Sequence, residues 1–494
     1  MAKQQKQIKR KDPDENCRLR HGLNPHCLAE IFQYLDDADL IRVSSMNKYY
    51  ESIIADYVIS KKVITFQLTT TRIEYTNIFQ KFGDKIKKIH FIGDPGRFKF
   101  LLQNIVEYCA EDQLEVVRFT KVCEFYSCNC DQIYRNTITP KMISQMIPYF
   151  RNVQSVTLRN SHLRKFGPQW HVPQTIFTQS KNIHALKLDK VLLNDEQLRW
   201  DQLENLRDIT LIDLKDFNQS TFIEYLKRRP KLTRFMYVGN MNIVDIGETL
   251  TTYCGDTLCS FRHYGQDTPS NDIRMRYDFL NEFKKLAHVT MTSVFKCASD
   301  LYYPLEKLAH KNMLESLEIY QNGVKNVPST PAEMALIQEH IGEFKKLRRL
   351  TINVKDTDDY DPQHLQFILN RPVQIFQNVR TLMLSGNRSD KNISKIIDLL
   401  PNLRQLRIID LRICNSLLGT RKMVTSIRKL VEKRGTAEGE LKRKDYVDVI
   451  AYGDVWREFA VYENKYINLT NRGTAREVQD FAIQGTAKIP RLDL

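Results

Sequence analysis

Long apolar runs are missing from this 494-residue chain. No stretch reaches the roughly 18 consecutive apolar residues of a membrane-spanning helix, so no membrane association is expected. The opening segment, Met1 to Lys11, is polar and basic with no apolar block behind it, and does not read as a secretory signal. Cysteine is sparse as well: ten residues, unevenly spaced. That argues against a disulfide framework and fits a reducing compartment, cytoplasm or nucleus. Cys123, Cys128 and Cys130 do cluster, with His162 and His171 further on, yet the spacing lacks the two close pairs of a zinc site. Reduced thiols are the expectation there. Catalytic signatures are absent too. The chain has no Walker phosphate loop, no Gly-x-Ser-x-Gly elbow and no His-Glu-x-x-His pair, and "GDPG" at Gly93 to Gly96 reads as a turn. The expectation is a protein that is not an enzyme and carries no cofactor and no metal.

What the chain does have is length, a basic balance and repetition. Lys plus Arg number 74 against 59 Asp plus Glu, a formal net charge of +15, which points to acidic partners. The length exceeds what one compact core usually organises, so either several domains or one elongated array is required.

Residues 1–18 form a basic tail. Behind it, "LNPHCLAEIFQYLDDADLIRVSSMNKYYESII" packs three short helical patterns into little sequence. Asn24 before Pro25 is a helix start, since Asn caps orphan amides and Pro tolerates the first helical position. Leu28, Ile31, Phe32 and Leu35 then fall on one stripe. Acidic residues from Asp36 to Asp39 break the pattern and cap a second helix, whose apolar side includes Leu40 and Val43. Tyr49, Tyr50, Ile53, Ile54 and Tyr57 continue a third. Three such helices carry more apolar positions than so small a core can use, so a partner or the next domain must cover the remainder.

From about residue 61 the string Leu-x-x-Leu-x-Leu recurs, with aliphatic or aromatic substitutes. It opens at Ile86, Leu114, Val153, Ile183, Leu206, Leu232, Leu258, Leu286, Leu314, Leu347, Val379 and Leu403, at intervals of about 23 to 39 residues averaging roughly 29. Helical patterns such as "TFIEYLKRRPKL" and "SKIIDLLPNL" lie between strings and end at Pro230 and Pro401. One string means nothing, because buried strands and helices produce it constantly. About a dozen near one period mean stacked strand–turn–helix units, none able to bury its apolar face alone. The fold class expected is therefore α/β: a three-helix module at 19–60, then a solenoid over 61–415 with a concave parallel sheet and convex helices. Residues 416–494 are expected to form a cap and tail, with "DYVDVIAYG" a candidate last strand and nothing legible beyond about 455.

The helical segment resembles an F-box, with Leu23, Leu28, Ile31, Phe32, Leu35, Asp39, Leu40, Val43 and Tyr49 in matching places. Asn24, His26 and Met46-Asn47-Lys48 depart from the usual residues while keeping the hydrophobic spacing. An F-box followed by leucine-rich repeats is similar to the substrate receptors of Skp–cullin–F-box ubiquitin ligases. That resemblance implies that Leu23, Pro25, Leu28, Ile31, Phe32, Leu35, Leu40 and Val43 bind a Skp-type adaptor and through it a cullin. It also implies that the repeats hold a protein substrate for ubiquitination and proteasomal degradation. A scaffold without degradation, or a basic ribonucleoprotein or nucleic-acid binder, are the alternatives.

In each string the leucine-type positions point into the core and the intervening positions face outward. On that rule Arg118, Arg159, Lys187, Arg234, Met236, Arg262, Tyr264, Tyr320, Arg349 and Arg407 line the concave face as candidate substrate contacts. Arg118, Lys187, Arg262 and Arg407 are placed at equivalent central positions. The basic excess predicts an acidic or phosphorylated protein segment, since Arg pairs bidentately with carboxylates and phosphates. With only two tyrosines among these positions, a nucleic-acid partner is not favoured. The basic stretch from Arg421 to Lys444 is a candidate import or nucleic-acid signal.

Overall fold

The computed structural model describes residues 23–471, apart from 122–139, 161–175, 265–276, 294–307, 322–343, 355–377, 387–396, 412–419, 439–445, 452–458, 461–466 and a few shorter stretches. The cysteine cluster at Cys123, Cys128 and Cys130, His162, His171 and the basic tail lie outside the described residues. The chain divides into two compact units, Met1–Tyr225 and Leu226–Leu494.

The first unit opens with helices α1 (Pro25–Phe32), α2 (Asp37–Met46) and α3 (Lys48–Ile53), the last continued by a π-helical turn, Ile54–Ile59. Each helix start is set by a side chain that accepts from an orphan amide. Asn24 Oδ1 accepts from the Cys27 amide at 2.8 Å, Asp36 Oδ1 from Asp39 at 2.7 Å, and Asn47 Oδ1 from Tyr50 at 2.8 Å. The expected stripe splits on folding. Leu28, Phe32 and Leu40 are buried, whereas Ile31 is half exposed. The reason is helical geometry: Leu28 and Phe32 stand one turn apart on one face, and Ile31 lies about 100° round from Phe32.

Six strands follow in this unit: β1 (Ile64–Phe66), β2 (Lys88–Ile92), β3 (Val116–Thr120), β4 (Ser155–Arg159), β5 (Ala185–Asp189) and β6 (Asp208–Ile212). Each pairs in parallel with the next. The second unit stacks nine more, again parallel and in chain order. They are β7 (Arg234–Val238), β8 (Ser260–Tyr264), β9 (His288–Ser293), β10 (Ser316–Gln321), β11 (Arg349–Val354), β12 (Thr381–Gly386), β13 (Ile408–Asp410), β14 (Val447–Ala451) and β15 (Ile467–Asn471). Alternation organises most of the strands: Ile89 and Phe91, Val156 and Leu158, Leu317 and Ile319 are buried, while the residues between them face the other side. Strand after strand in chain order, joined by crossovers, is the leucine-rich-repeat type of α/β solenoid.

Helices fill the back of the first unit. Trp200 packs on Phe222 with ring centroids 4.9 Å apart, and Tyr149 Oη donates to the Val106 carbonyl at 2.9 Å. Side-chain amides just before the strands tie neighbouring turns together. Asn152 Nδ2 donates to Asp112 O at 3.0 Å and Asn205 Nδ2 to Lys181 O at 2.7 Å. The residue after each of β3 to β6 is equally regular. Lys121, Asn160, Lys190 and Asp213 have φ of 54°, 47°, 53° and 45°, a left-handed step that costs a non-glycine residue roughly 1–2 kcal/mol.

Two features of the C-terminal part differ from expectation. The last string opens at Leu406, not Leu403: Leu406, Ile409 and Leu411 are buried, and Ile409 pairs with Leu382. Both registers satisfy a leucine template, because this string, like the one at Leu206, is preceded three residues earlier by another leucine in a tight turn. "WDQLENLRDITL" and "LPNLRQLRIIDL" align position for position, each beginning with a 3₁₀ turn, Trp200–Gln202 and Leu400–Asn402. In addition, the parallel stacking passes residue 415 and continues through β14 and β15. The basic run from Arg421 falls on helix α4 (Thr420–Glu438), with Met423, Ile427, Leu430 and Val431 buried. Arg434 Nε donates to Arg404 O at 2.8 Å and its Nη2 donates to Leu406 O. Much of that basic run therefore builds a repeat.

Because adjacent strands supply each other's core, Leu317→Asp should cost more than about 4 kcal/mol and remove the cooperative melt of the second unit. Glu318→Ala, one residue away on the open side, should cost about 1–2 kcal/mol through two lost hydrogen bonds. Thermal or urea unfolding of both variants checks this, and equal effects would overturn the register. Lys121→Gly should raise stability by up to about 1 kcal/mol in the same assay, by relieving the left-handed step.

Candidate functional site

Two surfaces stand out, both in the first unit. The first is the outer side of the helical module. Leu23, Ile31, Tyr34 and Met46 are 45, 50, 89 and 72% exposed, and Ile73 is the only other strongly exposed large apolar side chain among the described residues. Tyr34 N donates to Ile31 O at 3.2 Å, so the helical turn continues and sets these two side chains near each other. Of the adaptor contacts expected from sequence, Leu23 and Ile31 lie on this outer surface. Pro25, Leu35 and Val43 are partly covered, and Leu28, Phe32 and Leu40 serve the module's own core. Tyr34 and Met46 were not anticipated, since neither sits on the stripe that the apolar spacing marks. The module is fixed to the first repeat through Asp37, whose carboxylate takes Lys62 Nζ at 3.1 Å and the Thr65 amide at 3.1 Å. Lys62 Nζ also donates to Leu35 O at 2.6 Å.

The second surface is the open face of β2–β5. Register aligns His90, Arg118, Thr157 and Lys187 across four neighbouring strands. Two residues along, Thr120, Arg159 and Asp189 form a second row. Arg159 Nε lies 3.3 Å from the buried carboxylate of Asp189, and His90 Nε2 lies 3.0 Å from Thr120 Oγ1. Burial pushes the Lys187 and Arg118 pKa values down, and burial raises that of Asp189 against the opposing pull of Arg159 and Lys187. His90 is driven from 6.5 to about 4, first by burial and then by Arg118 and Arg159. This face repels additional positive charge.

The corresponding face of the second unit is mixed. Its central row runs Met236, Arg262, Thr290, Glu318, Thr351, Met383 and Asp410. Glu318 Oε2 accepts from Tyr264 Oη and Thr290 Oγ1, both at 3.0 Å. Met236 is buried, Arg234 is exposed at the start of β7, and Arg349 opens β11. Tyr320 lies in β10, with its side chain outside the described residues. Arg407 does not share the row of Arg118, Lys187 or Arg262. The three-residue shift in register puts it just before β13, and Asp410, an acid, occupies the central position instead. Cys109 and Cys254 are buried, which pushes both thiols up to about 12 and makes them poor nucleophiles at neutral pH. No helix among the described residues is long and apolar enough to cross a membrane.

No family model and no curated protein matches the chain. Solved structures that overlap it include the TLR13–ssRNA13 complex (14% identity, TM-score 0.34), covering 70% of this chain and 43% of that one. This chain thus spans less than half the length of the TLR13 chain. The Rad7–Elc1 complex of yeast gives 10% identity and a TM-score of 0.34, covering 94% of this chain and 96% of that one. An internalin from Listeria monocytogenes gives 12% and 0.29, covering 80% and 94%. The repeat architecture rests on the strand register described above and not on these overlaps.

His90 gives the charged face a pH signature. Its folded-state pKa lies below the unfolded value of 6.5, so its contribution is intact above pH 6.5. As pH falls from there toward 4, the unfolded chain takes up a proton that the folded chain refuses, and stability drops. Denaturant unfolding of wild type and His90→Asn at pH 7.5 and pH 5 should therefore show the variant gaining on wild type at the lower pH. A pH-independent difference would mean that His90 titrates normally.

Proposed function

We propose that this chain is a non-catalytic receptor whose helical module docks the adaptor of a Skp–cullin–F-box ubiquitin ligase, while its repeats hold a protein substrate. Support comes first from the concentration of exposed apolar surface. Four of the five strongly exposed large apolar side chains among the described residues fall between Leu23 and Met46. A module that has already buried Leu28, Phe32 and Leu40 leaves that surface to something else. The F-box resemblance of the same segment supplies the partner class, and the open strand faces supply a surface for protein binding. In this reading the chain acts in the cytoplasm or nucleus. Its mechanism is proximity: the receptor raises the effective concentration of substrate lysines near a charged conjugating enzyme carried by other subunits.

Co-expression of the full chain with a Skp-type adaptor tests the docking. Ile31→Asp together with Tyr34→Asp should abolish co-purification and leave the melting temperature within a few degrees of wild type, because both side chains are exposed. Phe32→Asp should lose the adaptor and destabilise the module as well. Undiminished adaptor capture by the Ile31/Tyr34 variant would sink the assignment. Adaptor capture without a cullin in cell extracts would favour a scaffold over a ligase receptor.

A further inference from the structure

We propose that the turns leading into β11, β12 and β13 form a docking edge for an acidic polypeptide segment, held by Lys346, Arg348, Arg380 and Arg404. This edge is a different surface from the open strand face. Leu347, Val379 and Leu406 are buried just before their strands, and the residues directly after them are Arg348, Arg380 and Arg407. Backbone hydrogen bonds stack these arginines in order. The Arg380 amide donates to Arg348 O at 2.8 Å, and the Arg407 amide donates to Arg380 O at 2.7 Å. From one repeat to the next their backbones are therefore about 4.8 Å apart. Lys346 and Arg404 come from the same turns, and both are exposed, as are Arg348 and Arg380.

Charge of one sign singles this edge out. Residues 344–349, 378–381 and 400–408 contain no Asp or Glu. Like charges directly opposite on neighbouring strands are destabilising, so stacking alone gives no reason for an arginine ladder. The equivalent row of the first unit shows the balanced arrangement: Lys87 and Glu115 stand on adjacent repeats, with Lys87 Nζ 2.7 Å from Glu115 Oε1. Among the described residues, no ion pair engages Lys346, Arg348, Arg380 or Arg404. The backbone beneath them is held in place. Asn378 Nδ2 donates to Lys345 O at 3.0 Å and joins the first two turns. Arg434, on α4, holds the third through Arg404 O and Leu406 O. Cations on a preset frame lose less freedom when a partner binds.

The guanidinium fork matches a carboxylate bidentately. An extended acidic segment turns carboxylates to one side every second residue, about 6.6 Å apart, within reach of long side chains on this spacing. Duplex nucleic acid favours a longer track, with roughly 6–10 phosphate contacts. Here Glu315, before β10, and Asp448, on β14, bound the basic edge to three repeats. Single-stranded nucleic acid uses aromatic platforms, and the one aromatic residue in these turns, Phe344, is buried. The proposal stands independently of adaptor docking by the helical module.

The full chain would be titrated with a fluorescent peptide of alternating Asp and Glu, with its Asn–Gln counterpart, and with a mixed-sequence DNA duplex. The acidic peptide should bind, the amide peptide should not, and added salt should weaken the binding. Arg348→Gln plus Arg380→Gln should weaken it roughly fivefold, about 1 kcal/mol. Arg151→Gln plus Lys181→Gln removes the same charge from two turns of the first unit and should leave the affinity unchanged. All four positions are exposed, so both variants should melt with wild type. If the arginine variant melts early, Lys346→Gln alone should still weaken the peptide. Ile31→Asp plus Tyr34→Asp, on the helical module, should bind the peptide as wild type does. Equal binding of both peptides, equal losses in the two charge variants, or tighter binding of the duplex with its loss confined to the arginine variant would each overturn the proposal.

Discussion

Everything in this molecule depends on one constraint: a single strand–turn–helix unit cannot enclose its own apolar residues. Leu317 is covered because Val289 and Leu350 lie beside it in register. Their neighbours are covered in the same way, so the stack propagates until something different ends it. At the N-terminal end that role falls to the three-helix module. Its buried residues Leu28, Phe32 and Leu40 belong to its own core, and Asp37 ties it to Lys62 and Thr65 of the first repeat.

Stacking also determines where chemistry can occur. Alternation commits the leucine-type positions of a strand to the core and leaves those between them freer to vary. Charge can collect there at little structural cost, and it does so unevenly. The first unit gathers Arg118, Arg159 and Lys187 around one carboxylate, whereas the second holds Glu318 in hydrogen bonds from Tyr264 and Thr290. The net charge of +15 is thus a poor guide by itself, because part of it serves structure. Arg434, reaching two backbone carbonyls from α4, is a plain example.

The repeat period was legible because leucine-type residues at fixed spacing are what parallel stacking demands. Less legible was the phase of one repeat. A spare apolar residue, Leu403, three positions upstream, satisfied the same template and carried Arg407 onto a row that belongs to Asp410. Comparison with the repeat at Trp200 contains the answer, since the two segments share their 3₁₀ turn and Leu203, Leu206, Ile209 and Leu211 match Leu403, Leu406, Ile409 and Leu411. Strand β15 escaped notice for a different reason: the pattern around Ile467 and Leu469 gives way to asparagine, with no leucine frame to announce it. In the helical module, spacing marked an apolar stripe and could not tell which members face inward. That choice is made by packing against α3 and the π-helical turn, where Phe32 meets Tyr50 edge to face, and it left Ile31 outside with Leu28 and Phe32 inside.

The join between the helical module and the first repeat has a geometric consequence. Asp37 holds Lys62 and the Thr65 backbone, Lys62 reaches back to the Leu35 carbonyl, and β1 begins at Ile64, so no slack segment separates the two. Ile31 and Tyr34 therefore stand at a set bearing from the open face of β2–β5, both within the same unit. A flexible tether would let a bound partner sweep a sphere and present many of its surface groups in turn. A rivet of this kind presents one arc of it, so the choice among those groups would be written into the angle of the joint.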